Sequence, residues 1–329
     1  MGLDTSPKSF LQAFIDEHVA GEVAGDPTHA VAFAKDIESD GVSTWADFEI
    51  KIGEYSSRFG ADQANEYVAR VAALRSFLGQ WLQKEQSRVD EAFVKNNAAR
   101  CIRSLTDYRS GLRPLKRAKL QQLRSKHRNE NWYQDIVCFN YTDVLERMRQ
   151  AAGGENANIG NLEGSTCSAM GKFVYAHDSL KDKIVCGVND ASQISNEAFR
   201  VKRLVTDNLI KGDMEANVIA NDLDARARMI IDDASVVAVF GMSFGKSDRR
   251  WWEQVGKKLL EHKETILVLF DYAMIAAEQG TEQIRLYQRD QAAKSTFASA
   301  AGIEMTPDAE DRIIVAPSNL LFPIKRPVS

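Results

Sequence analysis

Residues 135–143 read Asp-Ile-Val-Cys-Phe-Asn-Tyr-Thr-Asp, an apolar run that ends in polar side chains. Two similar runs follow it: Phe-Val-Tyr-Ala-His at 173–177, and Val-Val-Ala-Val-Phe-Gly-Met-Ser-Phe-Gly at 236–245. Continuous apolar runs are typical of parallel strands that are covered on both faces. Open α/β folds bind their ligands at the carboxyl ends of such strands. These stretches therefore predict a parallel sheet with a polar site along its carboxyl edge.

From Tyr133 onward, strand-like runs alternate with helical patterns, as βαβ units require. The predicted strands are 135–140, 172–177, 183–187, 235–241, 265–270 and 312–316. The predicted helices lie near 142–151, 196–209, 216–231, 248–262 and 283–300. Residues 151–168 are rich in Gly, Asn and Ser and are predicted to form a loop.

The first 130 residues have helical periodicity. Ser6-Pro7 supplies a cap and a proline at the first helical position, and further helices are predicted at 44–59 and from Ala61. The fold class predicted is therefore α/β, a doubly wound, mostly parallel sheet with a helical N-terminal part. We expect one domain over residues 1–329, with residues 61–130 as a helical insertion within it.

The composition of the sequence excludes several classes of function. The 329 residues have a formal net charge of −4, which argues against a protein built wholly around nucleic acid. No apolar run approaches the roughly 20 residues that span a bilayer, so no membrane partner is expected. Neither a signal peptide nor a lipidation motif is visible, and the expected location is the cytoplasm. The 4 cysteines lack metal-site spacing, and no metal is expected.

Basic residues are concentrated in residues 100–128, where Asp107 is the single acid. Such a segment is either a patch that attracts phosphates or a solvated pair of helices. Its basic members are Arg100, Arg103, Arg109, Arg113, Lys116, Arg117, Lys119, Arg124, Lys126 and Arg128. Tyr108 is the one Phe, Trp or Tyr residue in this segment, so no aromatic interleaving supports stacking on single-stranded bases.

The order of these motifs resembles the abortive-infection AbiH family of bacterial anti-phage proteins. The resemblance rests on Asn-Tyr-Thr at 140–142, then a strand-end His177, then Gly-Met-Ser-Phe-Gly-Lys-Ser-Asp at 241–248. It continues through Ile-Val-Cys-Gly-Val-Asn-Asp at 184–190 and Trp-Ala-Asp-Phe-Glu at 45–49. That family is similar to the sirtuin-like NAD-binding fold.

Three departures from the family pattern stand out. Asp178 follows the motif histidine where the family commonly has Gly, and Met242 replaces a His in the Gly-x-Ser turn. Family members usually open with a strand and a Gly-Asn-Gly-Phe-Asp loop, whereas this sequence opens at Met-Gly-Leu-Asp-Thr-Ser, which resembles the end of that module. Three explanations of this opening are open: a misplaced start codon, a trimmed sequence, or a degenerate member of the family. If the sequence is trimmed, the sheet should have a gap beside the strand that carries Gly241.

The resemblance implies roles for particular residues. Asn140 would lie beside the nicotinamide ribose, and His177 would act as general base, because an imidazole accepts protons near neutral pH. An alternative for Asn140 is a cap on the following helix. Thr5 and Ser6 would lie beside the phosphate loop.

The turn at 241–245 resembles the sirtuin Gly-Thr-Ser turn that holds the adenosine side of NAD. Gly241, Ser243 and Phe244 are therefore expected to bind the cofactor, while Asp248 either caps the next helix or touches the ligand. The spacing Gly-x-Ser-x-Gly also matches a nucleophile elbow, in which Ser243 would need a later histidine; only His262 follows it.

These resemblances imply an anti-phage effector that hydrolyses NAD, its substrate, to nicotinamide and ADP-ribose. Protein deacetylation is disfavoured, because the paired Cys motifs of the sirtuin zinc module are missing from the sequence. Two alternatives stay open: an inactive nucleotide-binding sensor or scaffold, and a nucleic-acid-associated defence protein that uses residues 100–128. A homo-oligomer or a defence-system protein are the expected protein partners.

Overall fold

The computed structural model describes residues 6–20, 28–161, 167–176, 184–216, 223–274 and 283–322. The described chain is a mixed α/β protein in which a helical N-terminal part precedes two small sheets. No helix within these segments combines the length and the apolar character that a bilayer crossing needs.

The N-terminal helices begin where the sequence provides caps. Ser6 Oγ accepts a hydrogen bond from the Ser9 amide at 3.2 Å, and Thr44 and Asp47 form a capping box. The helices are α1 (Pro7–Ala20), α2 (Thr28–Ser39), α3 (Trp45–Tyr55), α4 (Ala64–Ser87), α5 (Glu91–Asp107) and α6 (Pro114–Lys126). Residues 61–130 are thus mainly helical as predicted, and α2 is an addition to the prediction. Their status as an insertion in one domain stays a prediction.

Two three-stranded sheets follow. The first contains β1 (Trp132–Cys138), β2 (Asn158–Asn161) and β3 (Cys167–Tyr175) in the order β1-β3-β2; β1 and β3 are parallel, and β2 is antiparallel. The second contains β4 (Val236–Phe240), β5 (Ile266–Asp271) and β6 (Ile313–Pro317), all parallel and in that order. The connecting helices are α7 (Val144–Ala151), α8 (Glu197–Arg200), α9 (Arg203–Leu209), α10 (Lys211–Ala216), α11 (Leu223–Asp233), α12 (Arg249–Glu261), α13 (Gln283–Ala301) and α14 (Pro307–Asp311).

Three predictions about strands were wrong. The single sheet is two sheets, because β1 and β4 are not hydrogen-bonded to each other. The loop predicted at 151–168 contains β2. Residues 184–187 of the predicted strand 183–187 are not a strand, because side chains satisfy their carbonyls: Tyr141 donates to Val185 at 2.8 Å and Arg75 donates to Cys186 at 2.9 Å. The next residue, Val188, forms only a single bridge with Ile210.

The N-terminal helices have their own apolar core, in which Phe10, Phe14, Phe48 and Tyr67 are almost fully buried. A buried lysine ties this part to the region that follows β4. Lys211, at the start of α10, donates to Glu49 of α3 at 2.9 Å and to Asp248 at 2.8 Å. Because one ammonium holds two carboxylates from distant parts of the chain, it fixes α3 against the turn at 246–248.

We expect Lys211→Ala to lower the free energy of unfolding by about 3–5 kcal/mol, because it leaves two carboxylates buried near each other without their cation. Urea denaturation followed by circular dichroism measures the loss. The matched control is Lys51→Ala, which removes the partly exposed pair of Lys51 with Glu54 on the same helix. That change should cost less than about 1 kcal/mol. Equal losses in the two variants would show that the buried lysine is not an anchor.

Candidate functional site

A cavity of about 1070 Å³ runs between β1 and β4. It is somewhat larger than the ~300–1,000 Å³ usual for small-molecule sites. Its walls include every residue from 131 to 142 and from 233 to 243, together with the starts of α1 and α3. The carboxyl ends of β1 and β4 lie at one end of this cavity, because Tyr141, which follows β1, is close to Asp248, which follows β4, while Trp132 and Val236 share a core at the strands' amino ends. We call that end, lined by Asn140, Gly241, Ser243, Glu49 and Asp248, the polar end.

The structure brings together five of the residues predicted from the sequence. Ser6, Asn140, Gly241, Ser243 and Asp248 all line the cavity, and the side chains of Asn140 and Ser243 are exposed. Two further predicted residues, Thr5 and His177, lie outside the described residues, as does Asp178. The placement of the general base therefore stays a prediction.

Asn140 lies two residues beyond the end of β1, and hydrogen bonds fix Tyr141 and Asp143 after it. The Tyr141 hydroxyl donates to the Val185 carbonyl at 2.8 Å, and the Asp143 amide donates to Gln86 at 2.8 Å. The residue before α7 is Asp143, so Asn140 does not cap that helix and the alternative of a cap is wrong. Its side-chain amide has no hydrogen-bond partner among the described residues, which leaves it available to a ligand.

The turn after β4 is shaped by its glycines. Gly241 has φ +68°, a left-handed conformation that favours glycine, and the space around it is open. At Gly245 a Cβ would lie 2.1 Å from the Ala46 Cβ, so this glycine allows α3 to approach closely. Phe244 is placed differently from its neighbours: its ring packs 4.8 Å from Trp252 and 5.8 Å from Phe297. It anchors the turn in the apolar core and is not one of the cavity-lining residues.

Asp248 precedes α12 but makes no side-chain capping bond there. Its carboxylate pairs with Lys211 instead, at 2.8 Å. The expectation that capping would be its main role is therefore wrong, because a buried ammonium competes for the same oxygen atoms. Asp248 lines the cavity while holding this ion pair, so a carboxylate faces the polar end.

Glu49 completes the charge arrangement. Burial raises its pKa to about 7; Lys211 opposes the rise and Asp248 adds to it. For Lys211, burial alone would lower the pKa, but the two carboxylates outweigh burial and raise it, so the ammonium stays charged. The nearby Cys186 thiol has a pKa raised to about 12, mainly by burial, and is neutral. Near neutral pH, the polar end therefore has a charged lysine and a glutamate carboxyl that titrates, with the Asp248 carboxyl paired to the same lysine.

Sequence reasoning found Glu49 as a motif residue without a role and missed Lys211 altogether. Lys211 is a single basic residue after Leu209-Ile210, with no motif around it. Its only signal is a charge beside apolar residues, which does not distinguish a buried lysine from a surface one. Lys211 and Glu49 are 162 positions apart in the sequence, so only the tertiary structure shows that they form an ion pair.

His262 is not placed to serve as the histidine that a nucleophile elbow at Ser243 would need. His262 is exposed and ends α12, a helix of 13 residues and thus about 20 Å long, whose start follows Ser243. Ser243 and His262 therefore lie near opposite ends of this helix. A Ser–His pair needs hydrogen-bond contact, so these two residues do not form one.

Three lysines of the basic segment form ion pairs with later parts of the chain. Lys116 binds Asp290 at 2.6 Å, Lys126 binds Glu264 at 2.7 Å, and Lys119 pairs with Asp311. These pairs attach α6 to elements around the second sheet. Arg109 and Arg124 line the cavity toward the amino ends of the strands. Part of the segment is thus paired within the molecule, while Arg100, Arg103 and Arg113 are exposed, and the nucleic-acid interpretation stays a prediction.

Comparisons with known proteins give one finding. No curated protein and no solved structure matches the chain. The family model described as "Bacteriophage abortive infection AbiH" matches residues 1–270 of the 329, which is most of the chain. The chain therefore belongs to the bacteriophage abortive infection AbiH family.

Proposed function

We propose that this AbiH protein is an anti-phage effector that hydrolyses NAD to nicotinamide and ADP-ribose. Membership of the family assigns it a role in abortive infection. The observation that carries the enzymatic proposal is the polar end, where Asn140, the Gly241–Ser243 turn and two carboxyl groups line one cavity. Ligands of parallel α/β folds bind at this edge.

The parallel strands β3 and β1, and then β4, β5 and β6, fit the doubly wound, sirtuin-like arrangement that the sequence resembles. In such a fold the turn after β4 approaches a nucleotide. Gly241 leaves its backbone open to a phosphate or ribose, and Ser243 adds a hydroxyl. α12 begins at Arg249, a few residues after this turn, and the amino end of a helix favours anions such as a pyrophosphate.

The proposed chemistry is cleavage of the bond between ribose C1′ and the nicotinamide nitrogen. As that bond breaks, its electron pair goes to the nitrogen and positive charge develops on the ribose. The carboxylates of Asp248 and Glu49 would stabilise this charge. Asn140 would orient a water molecule, whose oxygen bonds to C1′ while its proton passes to His177.

A binding protein without turnover is the second candidate. Met242 of the turn lines the cavity and packs into the core beside it. A thioether cannot exchange protons, whereas the imidazole common at this position in the family can. In this second candidate function, the polar end binds the nucleotide, and binding of the nucleotide is signalled to a partner protein.

Purified protein incubated with NAD should release nicotinamide, which chromatography quantifies. Asn140→Ala should lower the rate by about 10²–10⁴-fold, because it removes the group that orients the water. His177→Ala should have an effect of the same size through loss of the base. The matched control is Asn131→Ala, which changes an asparagine at the opposite end of the same cavity wall and should keep the wild-type rate.

Binding and turnover separate the two candidates. If the wild type binds NAD but none of the proteins releases nicotinamide, the sensor replaces the enzyme. Equal turnover in the wild type and in both site variants would show that Asn140 and His177 do not have the roles assigned to them. Circular dichroism of every variant guards against loss of folding.

The charge on Glu49 predicts a pH dependence. Its pKa of about 7 means that the carboxylate forms as the pH rises, so turnover should increase between about pH 6 and 8. Glu49→Gln should reduce this rise to the part that the general base His177 contributes, and should leave a lower rate throughout. Glu85→Gln, which changes another buried glutamate, serves as the control and should keep the profile. A wild-type profile that persists in Glu49→Gln would assign the titration to another group.

A further inference from the structure

Residues 185–188 lie between β3 and α8, and all of them are buried. We call them the 185–188 segment. The Tyr141 hydroxyl donates a hydrogen bond to the Val185 carbonyl at 2.8 Å. Because Tyr141 directly follows Asn140 in the sequence, the segment holds the backbone next to the asparagine of the polar end.

The same segment contacts the two charged partners at the polar end. The Gly187 amide donates to the Glu49 carboxyl at 3.4 Å. The Lys211 amide donates to the Val188 carbonyl at 2.9 Å, and the Val188 amide donates to the Leu209 carbonyl at 2.8 Å. The backbone of the segment is therefore bonded both to the glutamate and to the stretch that carries the lysine.

Gly187 allows the segment to lie close to residues 208–211. A Cβ at this position would be 2.1 Å from the Leu209 carbonyl oxygen, a separation that real Cβ atoms essentially never show. Any other residue would thus push the two stretches apart. Lys211 begins α10 at the end of the second stretch and holds two carboxylates there. Its position depends on how closely the two stretches approach each other.

Arg75 of α4 fixes this approach from another part of the chain. Its Nη2 donates to the Cys186 carbonyl at 2.9 Å and to the Asn208 carbonyl at 2.8 Å. One side-chain nitrogen thus ties both stretches together. The Nε of the same side chain is buried and has no hydrogen-bond partner in the part of the chain that the structure describes. Because an unpaired buried donor costs free energy, packing alone gives no reason for an arginine here.

We propose that Arg75 is a positioning residue of the polar end. By holding the Cys186 and Asn208 carbonyls on one nitrogen, it keeps the 185–188 segment against residues 208–211. The segment in turn sets the places of the asparagine, the glutamate and the lysine of the polar end. The expected effect on turnover rests on the proposed function, whereas the structural effect is measured without any turnover.

Arg75→Met removes both hydrogen bonds and keeps an apolar side chain of similar length. The Val188 and Lys211 amides should exchange about 10–100-fold faster than in the wild type, measured relative to the amide of Leu78 in the middle of α4. Hydrogen bonds from a charged donor are worth about this factor. The side-chain amide resonance of Asn140 should shift as well. With NAD, kcat should fall about 10–100-fold while KM changes less than about threefold, because misplaced groups affect the reaction more than substrate binding.

Two further variants serve as controls. Arg70→Met changes another arginine of α4, whose side chain is 15% exposed and pairs with Glu66. It should leave the amide exchange, the asparagine resonance and kcat at their wild-type values. Arg75→Lys keeps a charged donor with a shorter reach, so its values should lie between those of the wild type and Arg75→Met. If Arg75→Met does not fold, Arg75→Lys is compared with the wild type alone, and the same amides should still exchange faster.

Unchanged exchange of the Val188 and Lys211 amides in Arg75→Met would overturn the proposal. Faster exchange with an unmoved Asn140 resonance, or with an unchanged kcat in an active enzyme, would do the same, because Arg75 would then only stabilise the fold. Faster exchange of equal size in Arg70→Met would assign the effect to a general loosening of α4. If the wild type releases no nicotinamide, NAD hydrolysis is wrong, and the exchange and resonance measurements still decide the role of Arg75.

Discussion

The free edges of β1 and β4 define the structure around the site. Each strand is paired on one side only, and the space between them is the cavity in which the candidate ligand-binding residues meet. Helices α6 and α12 pack on opposite faces of this layer and hold the edges apart. The two strands run in the same direction, since Tyr141 after β1 and Asp248 after β4 lie close together, and their carboxyl ends therefore place Asn140 and the Gly241 turn at the same end. The location of the polar site thus depends on the direction of the strands, and local motifs determine only which side chains are found there.

The buried Lys211 connects this layer to the N-terminal helices. It joins Glu49 and Asp248, which come from distant parts of the sequence, and it places both carboxyl groups beside the cavity. Such a cluster is costly to desolvate, and hydrophobic residues often replace buried ion pairs without loss of stability. A role in ligand chemistry gives a reason for keeping it, since carboxylates there would face a cationic ribose. Stability and function would then rest on the same three side chains.

Local patterns predicted much of this fold. Continuous apolar runs located β1, β3, β4, β5 and β6, and Ser6-Pro7 located the start of α1, because these signals lie within a few residues of each other. The sequence failed where tertiary contacts decide. Residues 184–187 have the composition of a strand, but Tyr141 and Arg75 take the carbonyls that a neighbouring strand would need. The short β2 lies in a polar stretch and forms only because β3 offers an edge.

The sequence likewise predicted some residues of the candidate site and missed others. Asn140, Gly241 and Ser243 follow strand ends, and the structure places them in one cavity as predicted, although their strands belong to two sheets. Phe244 was expected at the ligand because of its motif, yet its ring packs against Trp252 in the apolar core. The pairing of Asp248 with Lys211 had no local signal. Motifs therefore predicted which backbone lines the cavity, while the charges around it required the structure.

The central claim is that the polar end of the cavity binds a nucleotide. Titration of isotope-labelled protein with NAD, followed by amide resonances, tests it most directly. The account predicts saturable shifts at Asn140, Gly241, Ser243 and Asp248, with the amides of Asn131 and Trp132 at the other end unchanged. Unshifted resonances at millimolar NAD, or shifts confined to residues away from the polar end, would contradict it.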